Sequence, residues 1–216
     1  MKVWLKWVLG LAVATAVVMV PVMHYRATYA HAKRLREVEA GQFYRCGQLT
    51  TDGFREAINR YGIKTVINLQ DEDPDPLMPE TFYNDKKKTL ESKVCEETGA
   101  RYVMISFDMP RRDVAPYEHA KAIDNFLDLM DKPDSRPALL HCKAGLHRTG
   151  LLTAIYRMEY DRWSRADAMR ELRANGFGDA AAHTGNDYVF AYIENYTPRW
   201  QRPKPDKKIP AGDAGP

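Results

Sequence analysis

The chain has 216 residues, 44% of them hydrophobic and 28% charged, with a formal net charge of +3. The length suits one domain of about 150 to 170 residues plus extensions, large enough to bury a core without disulfides. So mild a charge gives no argument for nucleic acid, and no zinc-finger, homeodomain or RNP pattern is present. Three cysteines, Cys46, Cys95 and Cys142, with no Cys-x-x-Cys pair, argue against a disulfide framework and a structural zinc site.

From Val3 to Met23 the chain is apolar apart from Lys6, Gly10, Thr15 and Pro21, which as a helix spans about 30 Å of hydrocarbon. Trp4 and Trp7 stand at one end and Tyr25 and Tyr29 at the other, as interfacial anchors do. Residues 1–23 are expected to be a single-pass membrane anchor, with a cleaved signal peptide as the alternative. The small-residue spacing of Ala14-Thr15-Ala16 lies inside the apolar run, which disfavours cleavage. Lys2 and Lys6 oppose Arg26, Lys33, Arg34 and Arg36 across the span, so the side of the membrane that holds the rest of the chain stays open. Residues 24–40 read as a solvated, basic helical stalk.

The globular domain is expected over residues 41–196. Phe43-Tyr44-Arg45-Cys46 reads as a short strand. Thr50-Thr51-Asp52 offers caps for a helix that Tyr61-Gly62 ends. Residues 64–69 are β-branched and bounded by turn residues, the pattern of a buried strand. Three prolines make 71–79 a loop. A helix over 86–98 stops at Gly99, and a strand follows over 101–106. Residues 107–116 form a loop. Residues 117–130 carry Ala120, Ile123, Leu127 and Met130 at helical spacing. Residues 137–141 form a short buried strand, followed by helices over 148–160, 166–174 and 186–196. The tail, 197–216, is rich in Pro and Lys and reads as disordered. Strands alternating with helices predict an α/β fold, a mostly parallel central sheet flanked by helices.

Chemistry concentrates in His141-Cys142-Lys143-Ala144-Gly145-Leu146-His147-Arg148-Thr149-Gly150, between a buried strand and a helix. With average residue usage, chance gives this combination in on the order of one chain in a million. A loop curling into a helix N-terminus points successive N–H groups at one spot, which suits a phosphate dianion. Gly145 permits a turn that a side chain obstructs. Arg148 offers a planar, bidentate grip on phosphate oxygens. Cys142 lies at the same positive focus, which favours its thiolate, and the bound phosphorus sits in line for attack by sulfur. Thr149 is placed to donate a hydrogen bond to that sulfur, and His141 to orient the loop.

The stretch resembles the signature of the protein tyrosine phosphatase superfamily, His-Cys-x5-Arg-[Ser/Thr]-Gly. Within it, the dual-specificity branch with its lipid-phosphatase-like and atypical plant-and-fungal members is most similar. Phe43-Tyr44-Arg45 to Gln48 and Gly62 to Leu69 resemble the opening strands of that branch, so the likeness extends over about residues 41–196. It implies Cys142 as nucleophile, Arg148 as phosphate clamp, and the amides of Lys143, Ala144, Gly145, Leu146, His147 and Arg148 as the cradle. It implies no metal and no cofactor. It also implies a general acid from a loop roughly thirty residues before the cysteine. Asp108 directly follows a strand end and is preferred. Asp113, which suits a helix cap, is the alternative.

Other titratable residues fit blander roles. Asp71, Glu72, Asp73 and Asp75 read as a solvated acidic loop. His24, His31, His119 and His183 have no metal spacing. Gly176-Phe177-Gly178 reads as a turn, and Cys95 as an inert core residue. Cys46 stands near a strand end, where a disulfide with Cys142 is left open. Family members with a protective second cysteine place it after the Asn-Leu of the second strand, where this chain has Gln70.

The expected substrates are phosphotyrosine, phosphoserine or phosphothreonine in proteins. Inositol phosphates are the alternative, since Lys-Ala-Gly after the cysteine resembles lipid-phosphatase relatives. His147-Arg148-Thr149-Gly150 resembles the atypical branch, some of whose members cleave inositol pyrophosphates. Leu146 stands where those relatives carry Lys. A rhodanese-type sulfurtransferase uses a shorter loop without Arg-Thr-Gly at this spacing. A non-catalytic, membrane-tethered phosphate-binding module is the reading from another class, and loss of Cys or Arg marks such proteins. Both residues are present here.

Overall fold

The computed structural model describes residues 3–25, 32–70, 90–105, 121–178 and 188–202. The element order is α1 (Val3–Tyr25), β1 (Arg36–Glu39), β2 (Phe43–Gly47), α2 (Thr51–Tyr61), β3 (Thr65–Asn68), α3 (Glu91–Thr98), β4 (Arg101–Met104), α4 (Lys121–Met130), β5 (Ala138–Cys142), α5 (His147–Glu159), α6 (Arg165–Ala174) and α7 (Tyr188–Asn195). Asp71, Glu72, Asp73, Asp75, Asp108, Asp113, His31, His119 and His183 lie outside the described residues.

Among the described residues, five strands form one sheet in the order β1-β2-β5-β3-β4. There, β1 runs antiparallel to β2, and the pairs β2–β5, β5–β3 and β3–β4 are parallel. β5, Ala-Leu-Leu-His-Cys, lies at the centre and is wholly buried. Its side chains alternate between two cores, as a sheet covered on both faces requires. Leu139 joins Tyr44, Cys46 and Val66 under α2 and α3. Ala138, Leu140 and Cys142 join Phe43, Ile67 and the helices α4, α5, α6 and α7. Local chemistry sets the helix ends. The Thr50 side chain accepts from the Gly53 amide at 3.0 Å, and Gly62 ends α2 at φ +59°, a conformation that favours glycine.

Two boundaries need correction. Arg36-Glu37-Val38-Glu39 is not part of a helical stalk. It is the edge strand β1, with Arg36 opposite Arg45 and Glu37 opposite Tyr44. A charged edge strand discourages pairing with other chains, and its charges make it look like a stalk in sequence. The tail is also ordered further than expected. Arg199 pairs with Asp131 at 2.7 Å and its amide donates to Glu159 at 2.7 Å, while Trp200 Nε1 donates to the Met158 carbonyl at 3.1 Å. Arg199, helped by Tyr160, holds the Asp131 carboxyl below its ordinary value of 3.8. The clasp therefore stabilises the fold above that value and fades as pH falls through the depressed one.

Helix α1 covers 23 residues with mean hydropathy 2.1, and none of it is buried. It is long and apolar enough to cross a membrane.

Candidate active site

The parallel register sets the site. Gly47 lies opposite Cys142 and Cys46 opposite His141, so the β2 exit and the loop after β5 share one edge of the sheet. Asn68 pairs with both His141 and Met104, which brings the ends of β3 and β4 to that edge as well. The chain leaves β4 there and leads into 106–120, the segment that holds Asp108 and Asp113.

Cys142 is buried at the end of β5, with 4% of its surface exposed. Lys143 is exposed, Ala144, Leu146, His147 and Arg148 are half-buried, and Gly145 and Thr149 are buried. Three consecutive loop carbonyls are held from outside. The Gln48 amide donates to Lys143 O at 3.2 Å, Arg34 Nη1 to Ala144 O at 2.9 Å, and Arg45 Nη2 to Gly145 O at 2.8 Å. A planar trans peptide points its N–H away from its C=O, so the amides of Ala144, Gly145 and Leu146 turn to the opposite, inner side. Helix α5 begins directly after them, and no side chain caps its start at Leu146. Its first N–H groups are thus left to a ligand.

Gly145 makes this loop possible. Its φ is +69°, and a Cβ there would stand 2.5 Å from the Gly47 nitrogen and 2.7 Å from the Cys46 carbonyl carbon. Arg148 Nη1 donates to the Leu69 carbonyl at 2.7 Å, which fixes the side chain from the end of β3. Arg45 is 4% exposed, and burial pushes its guanidinium down to about 10, against the favourable pull of Glu171 and Cys142. It still carries its charge at neutral pH. Burial, then Arg148 and Arg34, lower the His147 pKa, so that imidazole is neutral at pH 7. Tyr188 lies within electrostatic reach of both Cys142 and Arg148.

His141 is held by a partner the sequence did not reveal. Its Nε2 lies 2.6 Å from Glu91 Oε1, and its ring meets Phe54 edge-on. Gln48 donates to the other Glu91 oxygen at 3.3 Å, and Gln70 donates to Gln48. Removing the Glu91 carboxylate strands a fully buried imidazole. Glu91→Ala is expected to cost about 2 kcal/mol, and Glu91→Gln, which keeps an acceptor, less than half of that. Urea denaturation checks both, and equal stability of the two variants contradicts the pairing.

Two expectations change. The Thr149 hydroxyl is buried without a hydrogen-bond partner among the described residues, so the expected bond to sulfur is not formed. The disulfide left open between Cys46 and Cys142 is not formed, and both remain thiols. Cys46 shares its face of the sheet with His141, whereas Cys142 points to the other face, so the two side chains diverge.

Sequence alone did not single out Arg34, Glu91 or Tyr188, and it noticed Arg45 and Gln48 only as strand residues. The roles of Arg45 and Gln48 depend on strand register, which places Arg45 beside Gly145, 100 residues later, while Arg34 reaches Ala144 across 110 residues.

A family model described as DSP-PTPase phosphatase fused to NAD+ kinase matches residues 18–186. The dual specificity protein phosphatase TpbA of Pseudomonas aeruginosa UCBPP-PA14 is 36% identical over 76 residues, which are 32% of this chain and 35% of TpbA. Its counterpart from strain PAO1 is 46% identical over 43 residues, 20% of each chain. These alignments thus span about a third or less of the curated relatives. Among solved structures, the core catalytic domain of the PP-IP phosphatase SIW14 from S. cerevisiae superposes with TM-score 0.55 at 20% identity, covering 77% of this chain and 87% of that one. P. aeruginosa TpbA superposes with TM-score 0.52 at 21% identity, covering 76% and 86%. At these identities the structures establish a shared fold.

Proposed function

Since the chain belongs to the DSP-PTPase family of phosphatase domains within the protein tyrosine phosphatase superfamily, we propose that it hydrolyses phosphomonoesters through a phosphocysteine at Cys142. The observation that carries this is the row of outward-held carbonyls at Lys143, Ala144 and Gly145, which leaves their partner amides facing inward beside the cysteine. An anion bound there also meets the start of α5 and the guanidinium of Arg148.

In the first step the Cys142 sulfur attacks phosphorus, an S–P bond forms and the P–O ester bond breaks. The departing oxygen takes a proton from Asp108. In the second step the Asp108 carboxylate takes a proton from water, whose oxygen attacks phosphorus and releases the thiolate and inorganic phosphate. Arg148 and the loop amides bind the equatorial oxygens throughout. His141 supports the loop from Glu91, and the Thr149 hydroxyl, buried without a hydrogen-bond partner among the described residues, keeps a proton to donate. The exit of β4 at the sheet edge that carries Cys142 supports Asp108 in the acid role.

The preferred substrate class is phosphorylated protein side chains, the class named for TpbA. A second reading, an inositol phosphate, is favoured by Lys143, exposed in the cradle loop, in addition to Arg148, more charge than a single phosphate requires. We place the domain on the membrane through α1, as a single-pass anchor; resistance to carbonate extraction tests this placement.

The deciding assay is phosphate release from phosphotyrosine, phosphoserine and phosphothreonine peptides, inositol phosphates and p-nitrophenyl phosphate, with chelator present. Asp108→Asn is expected to lower kcat on peptides about 10²-fold, and Asp113→Asn less than about threefold. The reverse order reassigns the acid. Release from inositol phosphates alone moves the substrate class, and no release from any compound leaves a phosphate-binding module.

A further inference from the structure

The short segment before β1 reaches into the site. Leu35 N donates to Ala32 O at 3.0 Å, closing a turn, and Gly47 N donates to Lys33 O at 2.7 Å. Gly47 is the residue opposite Cys142. A Cβ on it would stand 2.9 Å from Lys33 Cδ and 3.1 Å from the Ala144 carbonyl carbon, so the segment, the end of β2 and the catalytic loop are stacked in contact. Arg34 adopts φ +54°, a left-handed conformation that L side chains rarely adopt. Such a conformation persists where its surroundings over-determine it, and it often accompanies function. Here it coincides with the bond from Arg34 Nη1 to Ala144 O, between residues 110 positions apart.

We propose that Arg34 is a positioning residue of the phosphate cradle, and that residues 32–35 belong to the active site rather than to a linker. Ala144 O belongs to the same peptide plane as the Gly145 N–H. With the carbonyl held outward by Arg34, that N–H faces the anion. Without Arg34 the plane is free to rotate, and rotation presents a carbonyl oxygen to the phosphate in place of a donor. Gln48 and Arg45 hold the planes on either side, so the loop keeps its course while one amide is lost. Arg34 also acts on His147 at the start of α5, so its presence is readable spectroscopically. Nine positions separate Arg34 from Tyr25, the end of α1, so the element that orients this amide follows closely on the apolar helix.

The inference rests on the phosphatase reading for its kinetic effect, but not for its binding and NMR effects. The test uses the full chain in detergent, as wild type, Arg34→Ala, Arg34→Lys and Arg36→Ala. The readouts are kcat/KM for p-nitrophenyl phosphate, the Kd of inorganic phosphate, the His147 titration by NMR, and Tm. Arg34→Ala is expected to lower kcat/KM and weaken phosphate about 10- to 100-fold, the cost of one misdirected oxyanion donor, and to raise the His147 pKa. Arg34→Lys, which keeps one donor and the charge, is expected to recover most of this. Arg36→Ala, which loses a bond to Asn175 instead, is expected to bind phosphate as wild type does. Wild-type kcat/KM and phosphate affinity in Arg34→Ala overturn the proposal. So does a loss that merely follows the fall in Tm, with the folded fraction binding phosphate normally and no rescue by lysine. A wild type that binds phosphate without turning over any ester removes the enzyme reading alone, since phosphate affinity and the His147 titration still decide the role of Arg34.

Discussion

Cys142→Ser is expected to abolish turnover, lowering kcat on the order of 10³-fold or more, while phosphate binding stays close to wild type. The substitution exchanges sulfur for oxygen at a position that is 4% exposed, with no change in side-chain branching. The loop course does not depend on the sulfur. It is set by the donors Gln48, Arg34 and Arg45 from outside and by Arg148 bonded to Leu69. The ground-state grip on phosphate therefore survives, and only the group that forms the S–P bond is lost. Removing an interaction made only along the reaction path lowers kcat without a matching loss of binding. Stopped-flow assay with p-nitrophenyl phosphate, beside calorimetry with inorganic phosphate, reads the two quantities separately. Retained turnover in Cys142→Ser would falsify the covalent mechanism. Lost binding together with lost turnover would show that the sulfur also shapes the cradle.

What was legible in the sequence followed from the range of the interactions. The alternation of strands and helices is written in local periodicity, and the structure places β2, β3 and β5 within a residue or two of their expected bounds. The candidate catalytic loop was legible because its parts are contiguous: one backbone segment supplies the amides, the turn glycine, the cysteine and the arginine. The supports were not, because each comes from elsewhere in the chain. Arg45 looks like a solvated strand residue until the β2–β5 register puts it beneath Gly145. Glu91 looks like an ordinary helix residue until it is seen 2.6 Å from His141. Arg34 and β1 were hidden by composition, since a run of charges after an apolar helix reads as a stalk whether or not it pairs with a sheet. The Cys46–Cys142 question turned on strand parity. Neighbouring strand positions that differ by one residue in register face opposite sides, and sequence does not report register.

Gly145→Ala tests whether the cradle depends on backbone geometry as strongly as on charge. Two penalties act at once. A φ of +69° costs an alanine about 1 kcal/mol. In addition, the new Cβ would stand 2.5 Å from Gly47 N and 2.7 Å from Cys46 C and O, all backbone atoms of a buried strand that cannot swing aside. Ordinary contact begins near 3.4 Å, so the loop must retreat by about 1 Å. That shift carries the Gly145 and Leu146 amides away from the anion. We expect a loss of about 2 to 4 kcal/mol in stability and of about 10²-fold or more in kcat/KM. Gly62→Ala supplies the control, because Gly62 has φ +59° and no atom within 4 Å of where its Cβ would stand. It bears the conformational penalty alone, about 1 kcal/mol, and lies at the end of α2, away from the loop. If both variants lose the same stability and neither loses activity, contact with β2 does not shape the cradle. If Gly145→Ala alone loses activity beyond its loss of folded protein, the close approach of the loop to Cys46 and Gly47 is what aims its amides.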